Sequence, residues 1–174
     1  MHVMLDLETL GTRPNAPVVA IGACRFTRTE VLTGVQNTFY ATIDLESAVR
    51  DSEASIDATT VKWWLNQEAA PRAQIANASR QIHEILISFR YWIDGISDLE
   101  GIWGCGAAFD NVILAETYRR AKLPVPWKFW QDRCYRTIRE ENPSVKEDAR
   151  TGTHHNALDD AIHQAKHLVK IWNI

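Results

Sequence analysis

The sequence predicts an α/β protein with a mixed central sheet, an antiparallel three-stranded meander at one side and helices covering the sheet. Short segments rich in Val, Ile and Phe come first, and their close spacing favours antiparallel pairing because a parallel crossover needs about a dozen connecting residues. Segments with helical periodicity then alternate with at least one further strand. The 174 residues, 45% of them hydrophobic, are enough for one sizeable core, so we expect a single domain over residues 1–174.

The first third of the chain holds the three strands of the predicted meander. Residues 3–7, 17–26 and 35–43 are runs of strand-forming residues separated by turn-prone ones. A helix is predicted over Asp57–Asn66, where Asp57 is a candidate N-cap.

Helices dominate the rest of the chain. Pro71 can begin one, because proline is favoured in the first turn, and apolar residues recur at helical spacing over Ser79–Ile93. The later segments are a strand over 101–105, a helix over 109–122, a helix or a short strand leading into one over 132–141, a polar loop over 142–153 and a final helix over 156–172.

The composition excludes several classes of protein. No run of about 18 apolar residues occurs, and no basic segment followed by an apolar run opens the chain, so we expect neither a membrane span nor a signal peptide. The three cysteines, Cys24, Cys105 and Cys134, are odd in number and widely spaced. This argues against a disulfide framework or a cysteine zinc site and favours a reducing, cytoplasmic location.

A basic segment lies within a chain whose net charge is −3. Thr117–Arg139 carries seven basic residues against one acidic residue, interleaved with five aromatic ones. Such a mixture suits a phosphate backbone and stacked bases. A solvated helix face followed by a tryptophan-rich core loop explains the same pattern, and the sequence leaves both interpretations open.

Two carboxylates share one face of the first strand. Asp6 and Glu8 are two residues apart, so their side chains leave the same side of the strand. Two like charges among apolar neighbours are costly to desolvate unless a cation meets them. The alternative is a strand end that reaches solvent.

Further carboxylates stand at two helix starts. Asp110 follows the fourth strand, where sites gather in open α/β sheets, although an aspartate there can also be an N-cap. The last helix opens with His155, and Asp159 and Asp160 lie about equally far to either side of its apolar stripe, so periodicity does not choose between them.

Together these residues have the chemistry of a divalent-metal site. Carboxylate oxygens without cysteine suit Mg²⁺ or Mn²⁺. Four carboxylates can hold two such ions about 3.5–4 Å apart, which is the arrangement used for in-line phosphoryl displacement. A nearby histidine can take a proton from the attacking water.

The ordered motifs resemble a known enzyme family. Asp6-x-Glu8-Thr9 with Gly11, then Phe109-Asp110, then His155-x-Ala157-x-x-Asp160 resemble the DEDDh family of 3′–5′ exonucleases, which has the ribonuclease H-like fold. The longer stretches are similar to a phage and bacterial branch that includes proteins like prophage exodeoxyribonuclease VIII and the actinobacterial 3′–5′ exoribonuclease.

The resemblance implies a role for each matching residue. It makes His155 the general base, chooses Asp160 over Asp159, and places Leu10 near the last base. The implied metal ligands are Asp6, Glu8, Asp110 and Asp160, and the expected substrate-binding residues are Thr9, Leu10, Gly11, Trp64, Phe109, Asn111 and Arg133. Core packing is expected for at least one of Trp63 and Trp64, because adjacent helical residues point in different directions. Cys105 departs from the family, in which asparagine often stands between the two glycines.

The expected function is a metal-dependent 3′–5′ exonuclease that releases nucleoside 5′-monophosphates. Its expected cofactor is two Mg²⁺ or Mn²⁺ ions, and its expected partner is single-stranded or 3′-overhanging DNA or RNA with a free 3′ end; a homodimer is also reasonable. Two rival hypotheses are a catalytically silent nucleic-acid-binding module of the same fold and a phosphodiesterase of short oligonucleotides.

Overall fold

The structure, a computed structural model, describes residues 1–50 and 53–174 and is built around a mixed five-stranded sheet. The strands are β1 His2–Thr9, β2 Val18–Phe26, β3 Thr38–Thr42, β4 Gly101–Gly104 and β5 Asp132–Cys134. Their order across the sheet is β3-β2-β1-β4-β5. The first three strands pair antiparallel, and β4 and β5 continue the sheet in parallel with β1. The predicted mixed sheet with an antiparallel meander is therefore confirmed.

Seven α-helices accompany the sheet within the described ranges. They are α1 Leu45–Val49, α2 Ala58–Leu65, α3 Ala69–Ala76, α4 Ile82–Asp94, α5 Asp110–Arg120, α6 Tyr135–Glu141 and α7 Ala157–Trp172. Asp57 caps α2 as predicted. Three details differ from the prediction: α3 begins two residues before Pro71, a 3₁₀ turn over Val35–Asn37 precedes β3, and α1 was not expected.

The face of the sheet that carries Asp6 packs against α7. In the β1–β2 register, Asp6 lies opposite Gly22 and Glu8 opposite Ala20. These small residues leave room for the start of α7, and a Cβ atom on Gly22 would lie 2.1 Å from the carbonyl carbon of Ala157. The close approach of α7 to β2 therefore requires glycine at this position.

The opposite face holds the larger hydrophobic core. Leu5, which is fully buried, belongs to this cluster together with residues of α4 and α5. The Tyr118 hydroxyl of α5 donates a 2.7 Å hydrogen bond to the carbonyl of Leu86 in α4. This hydrogen bond joins the C-terminal part of α5 to α4 on this face of the sheet.

The parallel pairing of β1 and β4 brings their carboxyl ends to one edge of the sheet. Leu5 of β1 lies opposite Gly104, the last residue of β4. Residues that follow these two positions therefore meet at that edge, and α7 begins above it. None of the helices in the described ranges combines the length and the apolar character needed to cross a lipid bilayer.

Candidate active site

Two carboxylates stand on the α7 side of β1, near its carboxyl end. The Asp6 Oδ1 atom accepts a 2.7 Å hydrogen bond from Nε2 of Gln164, one of the residues of α7. Glu8 is 8% exposed even though it lies at the end of the strand. The alternative of a solvated strand end is thereby excluded for Glu8, because its side chain is buried rather than in open solvent.

Asp110 joins the two β1 carboxylates from the next strand. It is the first residue of α5, whose N-cap is Phe109, so the alternative that Asp110 caps the helix is excluded. Its Oδ1 atom accepts a hydrogen bond of 3.2 Å from the amide of Leu7. Gly104 provides the space, since a Cβ atom there would lie 2.9 Å from Asp110 Oδ2.

The structure distinguishes Asp160 from Asp159, which periodicity could not do. Asn156 caps α7. The Asp159 Oδ2 atom accepts a 2.8 Å hydrogen bond from the amide of Thr153 and so belongs to the preceding loop. Asp160 instead faces the cleft, where ligand atoms of Asp160, Glu8 and His155 all lie within 4.8 Å of one another.

The carboxylates and His155 line one open cleft of about 740 Å³. Its lining includes Asp6, Glu8, Asp110, His155 and Asp160. Three separate parts of the chain thus converge on one site, as the ordered motifs predicted. The catalytic and metal-binding roles of these residues remain predictions that their placement supports.

The electrostatics of the cleft favour cations. Burial raises the pKa of Glu8 to about 8, with a further rise from the charge of Asp110. Burial also raises the pKa of Asp110 to about 7, against the opposing hydrogen bond from the amide of Leu7. The pKa of Asp6 lies well above its ordinary range because of burial, followed by the charges of Asp110 and Glu8. Burial is the largest cause of each shift, and neighbouring carboxylates add to it for Asp6 and Glu8.

This donor set fits hard divalent cations. Carboxylate oxygens are the ligands that Mg²⁺ and Mn²⁺ prefer, and the group of Glu8, Asp160 and His155 lies within metal-binding reach. Bound cations would remove the repulsion that raises the carboxylate pKa values. Two of the four predicted ligands, Glu8 and Asp160, therefore belong to this group, together with the predicted base His155.

The raised pKa values predict a pH-dependent stability for the metal-free protein. A carboxyl group whose pKa is higher in the folded state stabilises the protein fully below about pH 4, and this contribution is lost as pH rises through the folded pKa. We expect Asp110→Asn to match the wild type in melting temperature near pH 4.5 and to exceed it by roughly 3–8 °C at pH 8. Melting curves of both proteins in EDTA between these pH values measure the difference. A variant less stable than the wild type at pH 8 would contradict the prediction.

His155 is held in a specific environment beside the carboxylates. Its backbone has a φ of 60°, in the left-handed region that few residues other than glycine adopt. Its ring lies 4.7 Å from the ring of Trp63, in an edge-to-face arrangement. Burial lowers the pKa of His155, and the charges of His154 and Arg150 lower it further. The imidazole is therefore neutral near pH 7 and able to accept a proton.

Most of the predicted substrate-binding residues lie at the cleft. Thr9, Gly11, Trp64 and Phe109 line it. The indole Nε1 of Trp64 donates a 2.9 Å hydrogen bond to the carbonyl of Thr9, and this bond fixes the turn after β1. Leu10 instead lines a neighbouring apolar cavity of about 250 Å³ that shares Trp64 with the cleft.

Two predicted substrate-binding residues, Asn111 and Arg133, lie outside the cleft lining. Asn111 is 1% exposed, and its Nδ2 atom donates hydrogen bonds to the Ile102 carbonyl at 3.0 Å and to Asp132 at 2.8 Å, so it joins α5 to β4 and β5. Arg133 packs at the amino end of β4, near Gly101, away from the edge that carries Asp110. Neither side chain lines the cleft.

The basic segment divides between core and surface. Tyr118, Trp127 and Tyr135 are buried, whereas Phe129 and Trp130 are exposed. Of its seven basic residues, Arg136 lines the cleft, and its Nη2 atom donates a 2.9 Å hydrogen bond to the carbonyl of Cys105. Much of the segment therefore fits the core interpretation.

Residues at the site that were not among the predicted site residues include Trp63, Arg136, Arg150 and Gln164. Gln164 had a recognisable signal, because it lies four residues after Asp160 and so on the same face of α7. Of the tryptophan pair, Trp64 is buried and Trp63 is 42% exposed, so the core residue is Trp64.

The hydrogen bond between Gln164 and Asp6 has a measurable consequence. Gln164→Leu removes the donor but keeps a side chain of similar size, so the Asp6 carboxylate loses its orientation. We expect turnover to fall about tenfold, consistent with the loss of one hydrogen bond to a charged group. Steady-state rates of Gln164→Leu and of Gln36→Leu, at an exposed position, test this. Equal rates for the two variants would contradict it.

A comparison with protein families identifies the chain. Residues 1–172 match the family described as the Rv2179c-like 3′–5′ exoribonuclease domain. The chain belongs to this family. The protein is accordingly a hydrolase of the 3′–5′ exonuclease class, as the motifs predicted. A comparison with curated proteins finds no match.

Solved structures confirm the ribonuclease H-like fold. The nuclease domain of 3′hExo, described as a DEDDh family member bound to rAMP, has a TM-score of 0.63 and 12% identity over 99% of this chain and 91% of its own. Exonuclease X with 5′-overhanging duplex DNA has a TM-score of 0.60 and 18% identity over 99% and 92% of the two chains. Pop2p of S. pombe, in a form with Mg²⁺ and Mn²⁺ bound, has a TM-score of 0.60 and 11% identity over 98% and 82%.

Proposed function

We propose that the protein removes nucleotides from the 3′ end of single-stranded or 3′-overhanging nucleic acid and releases nucleoside 5′-monophosphates. The observation that carries this proposal is the convergence of four carboxylates and a neutral histidine on one open cleft. The negative side chains would repel a phosphodiester. Cations between the carboxylates and the phosphate would remove this repulsion.

The proposed cofactor is two Mg²⁺ or Mn²⁺ ions held by Asp6, Glu8, Asp110 and Asp160. When bound, such ions act as Lewis acids that favour the nucleophilic form of water and stabilise the charge that develops on the phosphate and the leaving oxygen. The protein contributes the placement of the ligands: β1 supplies two of them, and the starts of α5 and α7 supply the others.

His155 is proposed as the general base. Its neutral ring can take a proton from the attacking water while the bond to the 3′ oxygen of the preceding nucleotide breaks. The left-handed backbone of His155 and the Trp63 ring beside it restrict where the imidazole can lie. Such restriction favours catalysis because the base is already oriented before the reaction begins.

Replacing His155 tests this role. His155→Asn is expected to lower turnover by about 10²–10⁴-fold, the usual contribution of a general base, with a much smaller change in KM. In the wild type the acidic limb of the pH–rate profile should lie below pH 6.5, because the pKa of His155 is lowered. His83→Asn, at an exposed position, serves as the control. A variant that keeps both the rate and the acidic limb would contradict the assignment.

The substrate is proposed to be a single strand. The cleft has aromatic walls in Trp63 and Phe109, and aromatic rings stack on any base. A terminus must also separate from its partner strand to reach the buried carboxylates. The description of the family as exoribonucleases favours RNA over DNA as the preferred polymer.

A gel time course tests the proposal. RNA and DNA of the same sequence, labelled at the 5′ or the 3′ end, are incubated with Mg²⁺, Mn²⁺ or EDTA. We expect the 5′-labelled strand to shorten stepwise with metal only, and the RNA to shorten faster. A stable complex without any shortening would favour the silent binding module, and turnover confined to very short strands would favour the oligonucleotide phosphodiesterase.

A further inference from the structure

A guanidinium group reaches into the carboxylate cluster of the cleft. The side chain of Arg150 forms an ion pair with the carboxylate of Asp160, and both side chains are largely shielded from solvent. Burial raises the pKa of Asp6 and Glu8, and the positive charge of Arg150 opposes this rise; burial lowers the pKa of His155, and the same charge lowers it further. Arg150 therefore acts electrostatically on four of the five residues proposed for catalysis, although no motif includes it.

The segment that carries Arg150 is attached to α7 on both sides. Upstream, the Lys170 ammonium of α7 pairs with Asp148 at 2.6 Å. Downstream, the amide of Thr153 donates to Asp159 at 2.8 Å. The short span 149–152 between these attachments carries Arg150 above the start of α7. Its side chain can therefore change partners within the cleft without movement of the helices.

Arg150 and a divalent cation compete for the same carboxylate. The guanidinium lies against the Asp160 carboxylate, where a metal ion would have to bind, and it supplies part of the positive charge that the cluster requires. Once cations neutralise the carboxylates, the attraction that holds Arg150 on Asp160 becomes weaker. Its planar fork then matches the oxygens of a phosphate, which it can bind through two hydrogen bonds.

We infer that Arg150 changes partner during the reaction cycle: it pairs with Asp160 in the ion-free protein and with the phosphate of the 3′-terminal nucleotide in the ion-loaded protein. This inference rests on the proposed function, because it assigns Arg150 to the same cleft. Arg150 would thus supply part of the positive charge of the carboxylate site before ions bind and would later help to hold the substrate. The first role lowers ion affinity, and the second raises nucleotide affinity.

Calorimetric titration with Mn²⁺ alone tests the first half. Arg150→Gln removes the competing charge, so we expect this variant to bind Mn²⁺ about tenfold more tightly than the wild type. Arg150→Lys keeps the charge and is expected to bind Mn²⁺ nearly as the wild type does. Arg80→Gln, at an exposed position distant from the cleft lining, is the matched control and should equal the wild type.

Titration with adenosine 5′-monophosphate at saturating Mn²⁺ tests the second half. Arg150→Gln is expected to bind this product about tenfold more weakly, and Arg150→Lys is expected to be intermediate because it lacks the fork. The opposite directions of the two changes separate this role from loss of folding, which would weaken both. Unchanged or weaker Mn²⁺ binding by Arg150→Gln, or unchanged nucleotide binding, would overturn the inference.

The two proposals fail in different ways. If the proposed nuclease function is wrong, wild-type protein will not shorten a labelled strand with any metal. The Mn²⁺ isotherms require no turnover, so they report on the pairing of Arg150 with Asp160 whatever the strand assay shows.

Discussion

Replacing Asp6 with Asn is expected to lower exonuclease turnover by at least about 10³-fold while the protein remains folded. Asp6 lies between the Gln164 amide on one side and the charges of Glu8 and Asp110 on the other. Its carboxylate is thus the central member of the proposed ligand set, and an amide carries no charge with which to hold a cation. A loss of 10³ corresponds to about 4 kcal/mol of transition-state stabilisation.

The same substitution should stabilise the metal-free protein. Burial and the charges of two neighbouring carboxylates raise the pKa of the Asp6 carboxyl group. Asparagine cannot ionise, so the free-energy cost of a buried negative charge at this position disappears. Loss of activity with a higher melting temperature in EDTA is a combination that misfolding cannot produce. Asp94→Asn is the control, since Asp94 pairs with Arg90 at the surface. An Asp6→Asn enzyme that keeps a tenth of its activity would contradict the proposed site.

Gly22→Ala is expected to destabilise the protein by about 3 kcal/mol or more. The added Cβ would lie 2.1 Å from the carbonyl carbon and 2.4 Å from the carbonyl oxygen of Ala157. Both atoms belong to backbone, which cannot rotate away as a flexible side chain would, so α7 must shift from β2. Since α7 carries Asp160 and follows His155, the shift also displaces a proposed ligand and the proposed base.

Thermal melting and Mn²⁺ titration measure the two consequences separately. We expect the melting temperature of Gly22→Ala to fall by roughly 6–12 °C, and Mn²⁺ affinity to fall in whatever fraction remains folded. Gly95→Ala is a matched control, because its Cβ would meet no atom closer than 3.4 Å and its φ of −73° suits alanine. An unchanged melting temperature for Gly22→Ala would show that the close packing of α7 against β2 is not required for stability.

The sequence predicted the parts of the fold that depend on local pattern. The apolar run of β1 and the long apolar stripe of α7 are local patterns that indicate a strand and a helix. Proline and glycine mark where such elements end. The five-residue helix α1 was not predicted, because five residues are too few to show a helical period in the hydrophobic pattern. Its signal is a cap, in which Asp44 accepts a 2.8 Å hydrogen bond from the amide of Ser47.

The candidate site could be predicted from sequence motifs and from which residues share a face of a strand or helix, but not where tertiary contacts decide the position of a side chain. That Asp6 and Glu8 share a face follows from strand geometry, whereas the choice of Asp160 over Asp159 depends on the tertiary contact of Asp159 with Thr153. Asn111 and Arg133 have the chemistry of substrate ligands, but their partners lie in strands distant in sequence. The packing of α7 over Gly22 likewise depends on atoms 135 residues apart, which no local pattern encodes.

The carboxylate cleft is proposed to hydrolyse 3′-terminal phosphodiester bonds with the help of divalent cations. Mass analysis of the first products from a single-stranded RNA, with wild-type enzyme in Mn²⁺ and in EDTA, tests it most directly. We expect nucleoside 5′-monophosphates and strands shortened from the 3′ end in Mn²⁺, with no product in EDTA. Internal cleavage, nucleoside 3′-phosphates, or equal turnover in EDTA would contradict it.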